Sequence, residues 1–274
     1  MPNSLPPINA ALLQWFAWFV QRYLRRHFHA IAVNADLLRA NPPGADEAMI
    51  VYANHASWWD PLTAIHLAAK LFPEHAMYAP IDADALAKYP MFGRMGFFGV
   101  QQHSLRGAAE FLSRATAIVS QPGNSLWVTP EGRFADVRDT SAELMPGLTH
   151  LAYRLANRPE ENPTGPVVVK LIPVAVEYPF WEERRPELLI WFGRPLTLDS
   201  LRGRSKPEVA DELKTRLRAA QRELATASIG RRVEQFEVLG SGSPGTFWLY
   251  DGWRRLLAWR RGQSIRLEHG DKLH

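Results

Sequence analysis

The chain contains no cysteine among its 274 residues. Disulfide bonds, thiolate metal ligands and a cysteine nucleophile are therefore excluded. Two other catalytic signatures are also missing from the sequence: the H-E-x-x-H spacing of zinc proteases and the G-x-S-x-G elbow of serine hydrolases. We therefore expect neither a metal site nor a serine hydrolase that uses Ser57.

The aromatic stretch near the start, residues 8–24, is shorter than the roughly 20 apolar residues of a bilayer span, and Gln14 and Gln21 interrupt it. We predict an amphipathic helix in the membrane interface, with Trp15 and Trp18 at headgroup depth. The alternative is a helix packed on the protein's own core. The start of the chain also lacks the features of a secretory signal. One face of the predicted helix carries Leu12, Phe16, Phe19 and Tyr23.

Positive charge is concentrated in two places, although the formal net charge is only +4. Arg22, Arg25 and Arg26 lie near one end of the chain, and four more arginines lie within residues 253–261 near the other. Both groups adjoin aromatic, apolar sequence, which favours an anionic membrane surface over nucleic acid as the partner. Hydrophobic residues make up 46% and charged residues 22%, so a sizeable core is expected.

Residues 52–61 form the central stretch of the chain and contain one histidine, His55, and one carboxylate, Asp60. The apolar residues 49–53 predict a buried strand, and residues 62–71 predict a helix. Because Pro61 suits the first position of that helix, Asp60 is predicted at its cap. His55 and Asp60 are then expected to face each other across a short loop. A carboxylate that orients an imidazole makes it a better general base.

Strands alternate with helices along most of the chain, which predicts an α/β fold with a mostly parallel sheet and helices on both faces. Ligands bind beyond the carboxyl ends of the strands in such sheets. His55, Gln102 and Glu131 all fall at predicted strand ends. The further predicted strands are residues 77–81, 96–102, 125–129, 167–176 and 188–192. The further predicted helices are residues 83–88, 105–120, 148–157 and 205–226.

Three segments are predicted: a membrane-interface helix at residues 1–30, a catalytic domain at 31–228 and a basic aromatic segment at 229–274. Residues 240–245 are rich in glycine and serine and predict a flexible or turning link. The aromatic residues that follow are interpreted either as a tail folded over the catalytic domain or as a second membrane contact.

Four sequence blocks occur in an order that resembles the lysophospholipid acyltransferase family. They are N-H-x-x-x-x-D-P at residues 54–61, residues 96–102, P-E-G at 130–132 and I-P-V at 172–174. The resemblance covers roughly residues 31–197. It implies a glycerolipid acyltransferase-like fold. We expect the protein on the cytoplasmic face of the cell membrane, either peripheral or anchored in the plane of the membrane.

The resemblance also implies a mechanism. His55 is the general base for a hydroxyl of the acceptor lipid, and Asp60 orients it. The hydroxyl attacks the thioester of acyl-CoA or of an acyl carrier protein directly, so no cofactor and no acyl-enzyme are expected. Backbone donors near the loop stabilise the oxyanion. The residues expected to bind substrate are Asn54, Gln102, Arg106, Glu131, Gly132 and Arg133.

The acceptor blocks depart from the family pattern. Gln102 stands where the family commonly has an arginine that holds phosphate, and Arg106 is the nearest substitute. The third block is commonly E-G-T-R, whereas this chain has Arg133 and Phe134 in its last two positions. Several of the predicted site residues also have a purely structural interpretation. Asp60 is then a helix cap, Glu131 a turn cap, and Arg106 and Arg133 are solvated surface charges.

Three hypotheses follow. The first is an O-acyltransferase of phospholipid biosynthesis that acts on a lysophospholipid such as 1-acylglycerol-3-phosphate. The second is an acyltransferase on a non-glycerol acceptor, such as a glycolipid or an ornithine-type lipid, because positions that would hold a phosphate are altered. The third is a non-catalytic, membrane-binding accessory protein, which the intact His55 and Asp60 disfavour.

Overall fold

The computed structural model describes residues 5–158 and 167–242. The helices are α1 Ala10–His27, α2 Asp36–Ala40, α3 Asp60–Leu71, α4 Ala83–Lys88, α5 Leu105–Val119, α6 Pro146–Ala156 and α7 Lys206–Ile229. The strands are β1 Ala30–Asn34, β2 Ala48–Ala53, β3 Ala76–Asp82, β4 Phe97–Val100, β5 Asn124–Val128, β6 Val169–Glu177, β7 Leu188–Phe192, β8 Leu196–Thr197 and β9 Glu237–Ser241. Short 3₁₀ segments occur at Pro90–Arg94, Leu198–Leu201 and Val233–Gln235.

The strands form one mixed sheet in the order β4-β3-β5-β2-β6-β7-β1-β9, with the short β8 paired to β6. The five strands from β4 to β6 run parallel. Strand β7 runs antiparallel to β6 and parallel to β1, and β9 runs antiparallel to β1. The mostly parallel α/β sheet is therefore as predicted, and the carboxyl ends of β4, β3, β5, β2 and β6 share one edge.

The apolar residues of β2 face both sides of the sheet, as expected for a central parallel strand. Met49 and Val51 are buried with residues of α1 and α3, whereas Ile50 and Tyr52 are buried with residues of α5, α6 and α7. Each such side chain contributes about 1.5–3 kcal/mol when it is fully buried. This burial holds β2 at the centre of the domain and fixes where its loop begins.

Helix α1 packs on the domain through only one of its faces. Its side chains Phe16, Val20 and Leu24 are buried, and the Phe16 ring meets Phe92 edge-on at a centroid distance of 5.8 Å. The opposite face is exposed. Core packing therefore accounts for part of the predicted stripe, and membrane contact by the other face stays a prediction. Among the described residues, no helix is long and apolar enough to cross a membrane.

Two strands that were not predicted extend the sheet beyond β7. Strand β1 is fully buried, and the edge strand β9 pairs with it. Gly240 lies within β9, so the predicted link at 240–245 is wrong at its first two residues, and the sheet continues past residue 228. Strand β9 lacks an alternating pattern because it is short and lies at the edge of the sheet. The aromatic residues 247–261 lie outside the described residues.

Candidate active site

Strands β2 and β5 are parallel neighbours, so the loops that follow them meet at the carboxyl edge of the sheet. The loop after β2 carries His55, and the loop after β5 carries Glu131. The backbone N–H of His55 donates a hydrogen bond of 2.7 Å to Oε2 of Glu131. The structure thus brings together two residues that are 76 positions apart in the chain.

The His55 imidazole contacts the Asp60 carboxylate directly. Nδ1 of His55 lies 2.7 Å from Oδ2 of Asp60, and the backbone N–H of Ser57 donates to the same oxygen at 3.0 Å. The Asp60 side chain is only 4% exposed, whereas that of His55 is 19% exposed. When Nδ1 donates to the carboxylate, Nε2 of the neutral ring is free to accept a proton.

Asp60 is the first residue of α3 rather than its cap. Helix α3 begins at Asp60, and Trp59 takes the N-cap position, so the predicted cap is wrong by one residue. The reason is that the Asp60 side chain bonds back to Ser57 and His55 and not forward to a free N–H of the helix. The start of a helix still suits this position, because its partial positive charge stabilises a carboxylate.

Tyr178 provides a further donor to Asp60. It follows β6 directly, and its hydroxyl donates to Oδ1 of Asp60 at 2.6 Å and lies 3.3 Å from Oγ1 of Thr63. Burial and the neighbouring Asp60 charge raise the pKa of Tyr178 well above its ordinary value. The hydroxyl therefore stays protonated and donates throughout the working pH range. Groups from the loop and from the residue that follows β6 together fix the carboxylate.

Glu131 is buried and has both carboxylate oxygens engaged. While Oε2 accepts from His55, Oε1 accepts from Nη1 of Arg218 at 2.8 Å. Arg218 comes from α7, is itself buried, and also donates to the side chain of Gln221 and to the carbonyl of Ala142. These bonds offset part of the cost of burying the pair, although Nε of Arg218 is buried and has no hydrogen-bond partner among the described residues. Glu131 thus holds the main chain of His55.

Asn54 connects β2 to β6 at the same level of the sheet. Its side-chain amide donates to the carbonyl of Val176 at 3.0 Å and accepts from the N–H of Val176 at 2.8 Å. The residue is 1% exposed. We predicted Asn54 and Glu131 as substrate-binding residues, but both point into the protein and brace the loop that carries His55.

The arrangement can therefore support general base chemistry. A partly exposed imidazole is held on one nitrogen by a buried carboxylate, and its main chain is held by Glu131 and by a 2.8 Å bond from Ala135 N–H to the His55 carbonyl. Orientation of this kind favours proton transfer from a bound hydroxyl. Within the described parts of the chain, no group of three or more His, Asp or Glu residues could hold a metal.

A family model described as acyltransferase matches residues 21–177, which is more than half of the chain. The chain belongs to the acyltransferase family. The match contains His55, Asp60 and Glu131, whereas Tyr178 and Arg218 lie beyond it. A search of curated proteins found no match.

The residues that were predicted to bind the acceptor of this acyltransferase lie on its surface. Gln102 is exposed in the turn after β4. Arg106 is exposed on α5 and pairs with Glu110 at 3.0 Å, and Arg133 is exposed and lies 3.6 Å from Asp139. The structure describes no hydrogen bond from any of the three to His55. Their role in binding an acceptor stays a prediction.

Gly132 shapes the turn that follows Glu131. Its φ of +64° is in the left-handed region, and a Cβ there would lie 2.0 Å from Sδ of Met145. Glycine adopts this conformation without strain, and a larger residue would have to displace the Met145 side chain. The turn then carries Phe134 over the base, with a distance of 4.4 Å between the ring centroids of Phe134 and His55. Gly132 therefore acts on the acyltransferase site through the shape of this loop.

Two residues of the acyltransferase site were missed, and each left a signal in the sequence. Tyr178 directly follows an apolar strand, so the strand-end rule that selected His55 and Glu131 would have selected it as well. Arg218 and Gln221 lie beside the inward residues of α7, and polar residues in such positions usually have buried partners. The pairing of Arg218 with Glu131 could not be predicted without the order of the strands and helices in space.

Proposed function

We propose that this acyltransferase moves a fatty acyl group from the thioester of acyl-CoA or acyl carrier protein to a lipid hydroxyl, with His55 as general base and Asp60 as its orienting partner. The observation that carries the proposal is the 2.7 Å contact of His55 Nδ1 with Asp60 at the carboxyl edge of the sheet. Membership of the acyltransferase family supports the acyl transfer.

The proposed reaction needs no covalent enzyme intermediate. Nε2 of His55 takes the hydroxyl proton while the hydroxyl oxygen attacks the thioester carbonyl carbon. The tetrahedral intermediate then collapses, the carbon–sulfur bond breaks, and the leaving thiolate takes a proton from the imidazolium. The products are the lipid ester and a free thiol. Asp60 stabilises the imidazolium between the two proton transfers through its contact with Nδ1.

A purified assay of thiol release tests the proposal. His55→Ala is expected to lower kcat/KM by about 10²- to 10⁴-fold, which is the usual contribution of a general base. His150→Ala is the control, since His150 is an exposed histidine on α6. Near wild-type transfer by His55→Ala would overturn the mechanism. A wild-type protein that binds vesicles but never releases thiol would be the accessory protein instead.

The acceptor that the family resemblance implies is a lysophospholipid such as 1-acylglycerol-3-phosphate, and a non-glycerol lipid hydroxyl is the alternative. Lipid mass spectrometry of cells with and without the protein separates the two. The acylated species that disappears from the deficient cells names the acceptor. Deficient cells with an unchanged lipid profile would contradict a role in lipid acylation.

We further propose that the exposed face of α1 holds the enzyme on the cytoplasmic face of the membrane. Trp15 and Trp18 are each 55% exposed, and the Arg22 guanidinium lies 5.3 Å from the Trp18 ring. Arg25 and Arg26 are exposed at the end of the helix. Aromatic residues beside arginines suit the headgroup region of an anionic membrane.

A row of aromatic contacts links this face to the site. The ring of Phe19 lies 5.7 Å from that of Tyr23, which lies 5.7 Å from that of Trp59, the residue before Asp60. Flotation with vesicles that contain anionic lipid tests the proposal. Trp15→Ser/Trp18→Ser should weaken binding at least tenfold and leave thiol release in detergent micelles unchanged. Equal vesicle binding by this variant and the wild type would contradict it.

A further inference from the structure

Phe134 covers one side of the proposed base. Its ring lies 4.4 Å from the His55 ring at an angle of 45°, yet the side chain remains 58% exposed. The placement is held locally, because the next residue, Ala135, donates to the carbonyl of His55. A substrate that approaches the imidazole from this side must therefore contact an apolar ring.

Two arginines that contact this loop already have partners. Arg133 lies 3.6 Å from Asp139 and donates to the carbonyl of Phe134. Arg218 is buried against Glu131. On the other side of His55 along the chain, Trp58 is 55% exposed and packs on Trp59 at 4.7 Å. Aromatic side chains thus lie against the base, at Phe134, and three residues further along its loop, at Trp58.

A phosphate monoester is poorly suited to such a surface. It carries a charge of about −1.5 to −2 at neutral pH. The face of an aromatic ring is electronegative, and bringing a charge against it without a cation removes water with no compensating bond. An acyl chain, a glycerol carbon or the apolar face of a sugar loses nothing there and gains contact area.

We propose that Phe134 determines specificity, and that the acylated hydroxyl belongs to a lipid without a phosphate monoester beside it. The inference rests on the proposed function and deepens it by naming the acceptor class. The lipid places an uncharged part against Phe134 while its hydroxyl reaches Nε2 of His55.

Two acceptors that differ only in the phosphate test the inference: 1-oleoylglycerol and 1-oleoylglycerol-3-phosphate, in the same mixed micelles with oleoyl-CoA. The wild type is expected to acylate 1-oleoylglycerol with at least tenfold higher kcat/KM. Phe134→Arg supplies a cation and should shift the ratio of the two kcat/KM values at least tenfold toward the phosphate. Phe134→Leu is the matched control and should keep the preference, because it stays apolar.

The outcomes separate the inference from the function on which it rests. Preference of the wild type for the phosphate, or an unchanged ratio in Phe134→Arg, overturns the inference alone. If only a total membrane lipid extract supports thiol release, the extract is treated with a phosphomonoesterase: loss of thiol release overturns the inference alone, and unchanged release supports it. If the extract too gives no thiol release, the proposed function is overturned and the inference with it.

Discussion

Two halves of the same sheet edge differ in how their side chains are held. In the half that carries the base, Asp60 and Glu131 are buried and are bonded by groups from distant segments. In the half that was predicted to hold the acceptor, Arg106 and Arg133 are exposed and pair with carboxylates four and six positions away in the chain. Contacts with distant segments hold the buried carboxylates Asp60 and Glu131, whereas the exposed Arg106 and Arg133 form local pairs that can change independently.

Arg218→Met should have the largest effect. It leaves Glu131 buried and unpaired, and breaking a buried pair in this way usually costs about 3–5 kcal/mol. Urea unfolding should show this loss. The double variant Arg218→Met/Glu131→Gln should recover part of it, because the unpaired charge is gone. A loss below 1 kcal/mol in the single variant would mean that the buried pair of Arg218 with Glu131 contributes no more to stability than the exposed pairs of Arg106 and Arg133.

His66 makes the stability of the folded protein depend on pH. It is buried on α3, and burial, followed by the charges of Lys70 and Arg25, lowers its pKa from 6.5 to about 4. The unfolded chain therefore binds a proton more readily than the folded one below pH 6.5. The stability from neutral His66 is present above pH 6.5 and is lost as pH falls to about 4. The loss amounts to about 3 kcal/mol.

Urea unfolding at pH 7 and at pH 4 measures this effect. His66→Leu cannot take up the proton, so it should lose about 3 kcal/mol less than the wild type between the two pH values. His150→Ala, which changes an exposed histidine, should follow the wild type. Identical pH dependence in His66→Leu and the wild type would show that His66 plays no part in acid unfolding.

Tyr178→Phe is expected to lower kcat about tenfold, because a hydrogen bond to a charged group contributes about 1.5–3 kcal/mol. Tyr52→Phe is the matched control, since the buried Tyr52 hydroxyl has no hydrogen-bond partner among the described residues. Equal kinetics for the two variants would limit Tyr178 to a structural role.

The smallest effects are expected for Arg106 and Arg133, which were predicted to bind the acceptor. Arg106→Gln and Arg133→Gln each remove an exposed pair, and such pairs contribute about 0.2–1 kcal/mol or less. Stability should change by less than 1 kcal/mol. Acylation of 1-oleoylglycerol should change less than twofold. A more than tenfold loss of acylation in either variant would place that arginine in the acceptor site, in spite of its exposure.

The sequence predicted the central part of the fold well, because buried parallel strands are continuous apolar runs with clear ends. Strand β7 was predicted at its observed limits, residues 188–192. Strand β2, which precedes His55, begins one residue before its predicted start. The same reasoning placed His55 and Glu131 at one edge. The apolar residues 30–33 of β1 were overlooked because they directly follow the predicted helix, and β9 is a short edge strand without a clear apolar run.

The direction in which the site residues face was harder to predict than their position in the chain. Asn54 and Glu131 were interpreted as groups for the substrate, yet each bonds a backbone or a side chain inside the protein. A polar residue at a strand end can face outward to a ligand or inward to a neighbouring loop. The choice depends on what the neighbouring element offers, such as the N–H of Val176 or the guanidinium of Arg218, and these partners come from distant sequence.

The position of β1 has a consequence for synthesis of the chain. Strand β1 comes early, but Ala30 at its start binds Glu187, which is 157 residues later. At about 5–20 residues per second, the ribosome needs on the order of ten to thirty seconds to supply that partner. During this interval β1 has no neighbouring strand to pair with, because β7 and β9 have not yet been synthesised. The aromatic residues of α1 are therefore available to a membrane before the domain they belong to has formed.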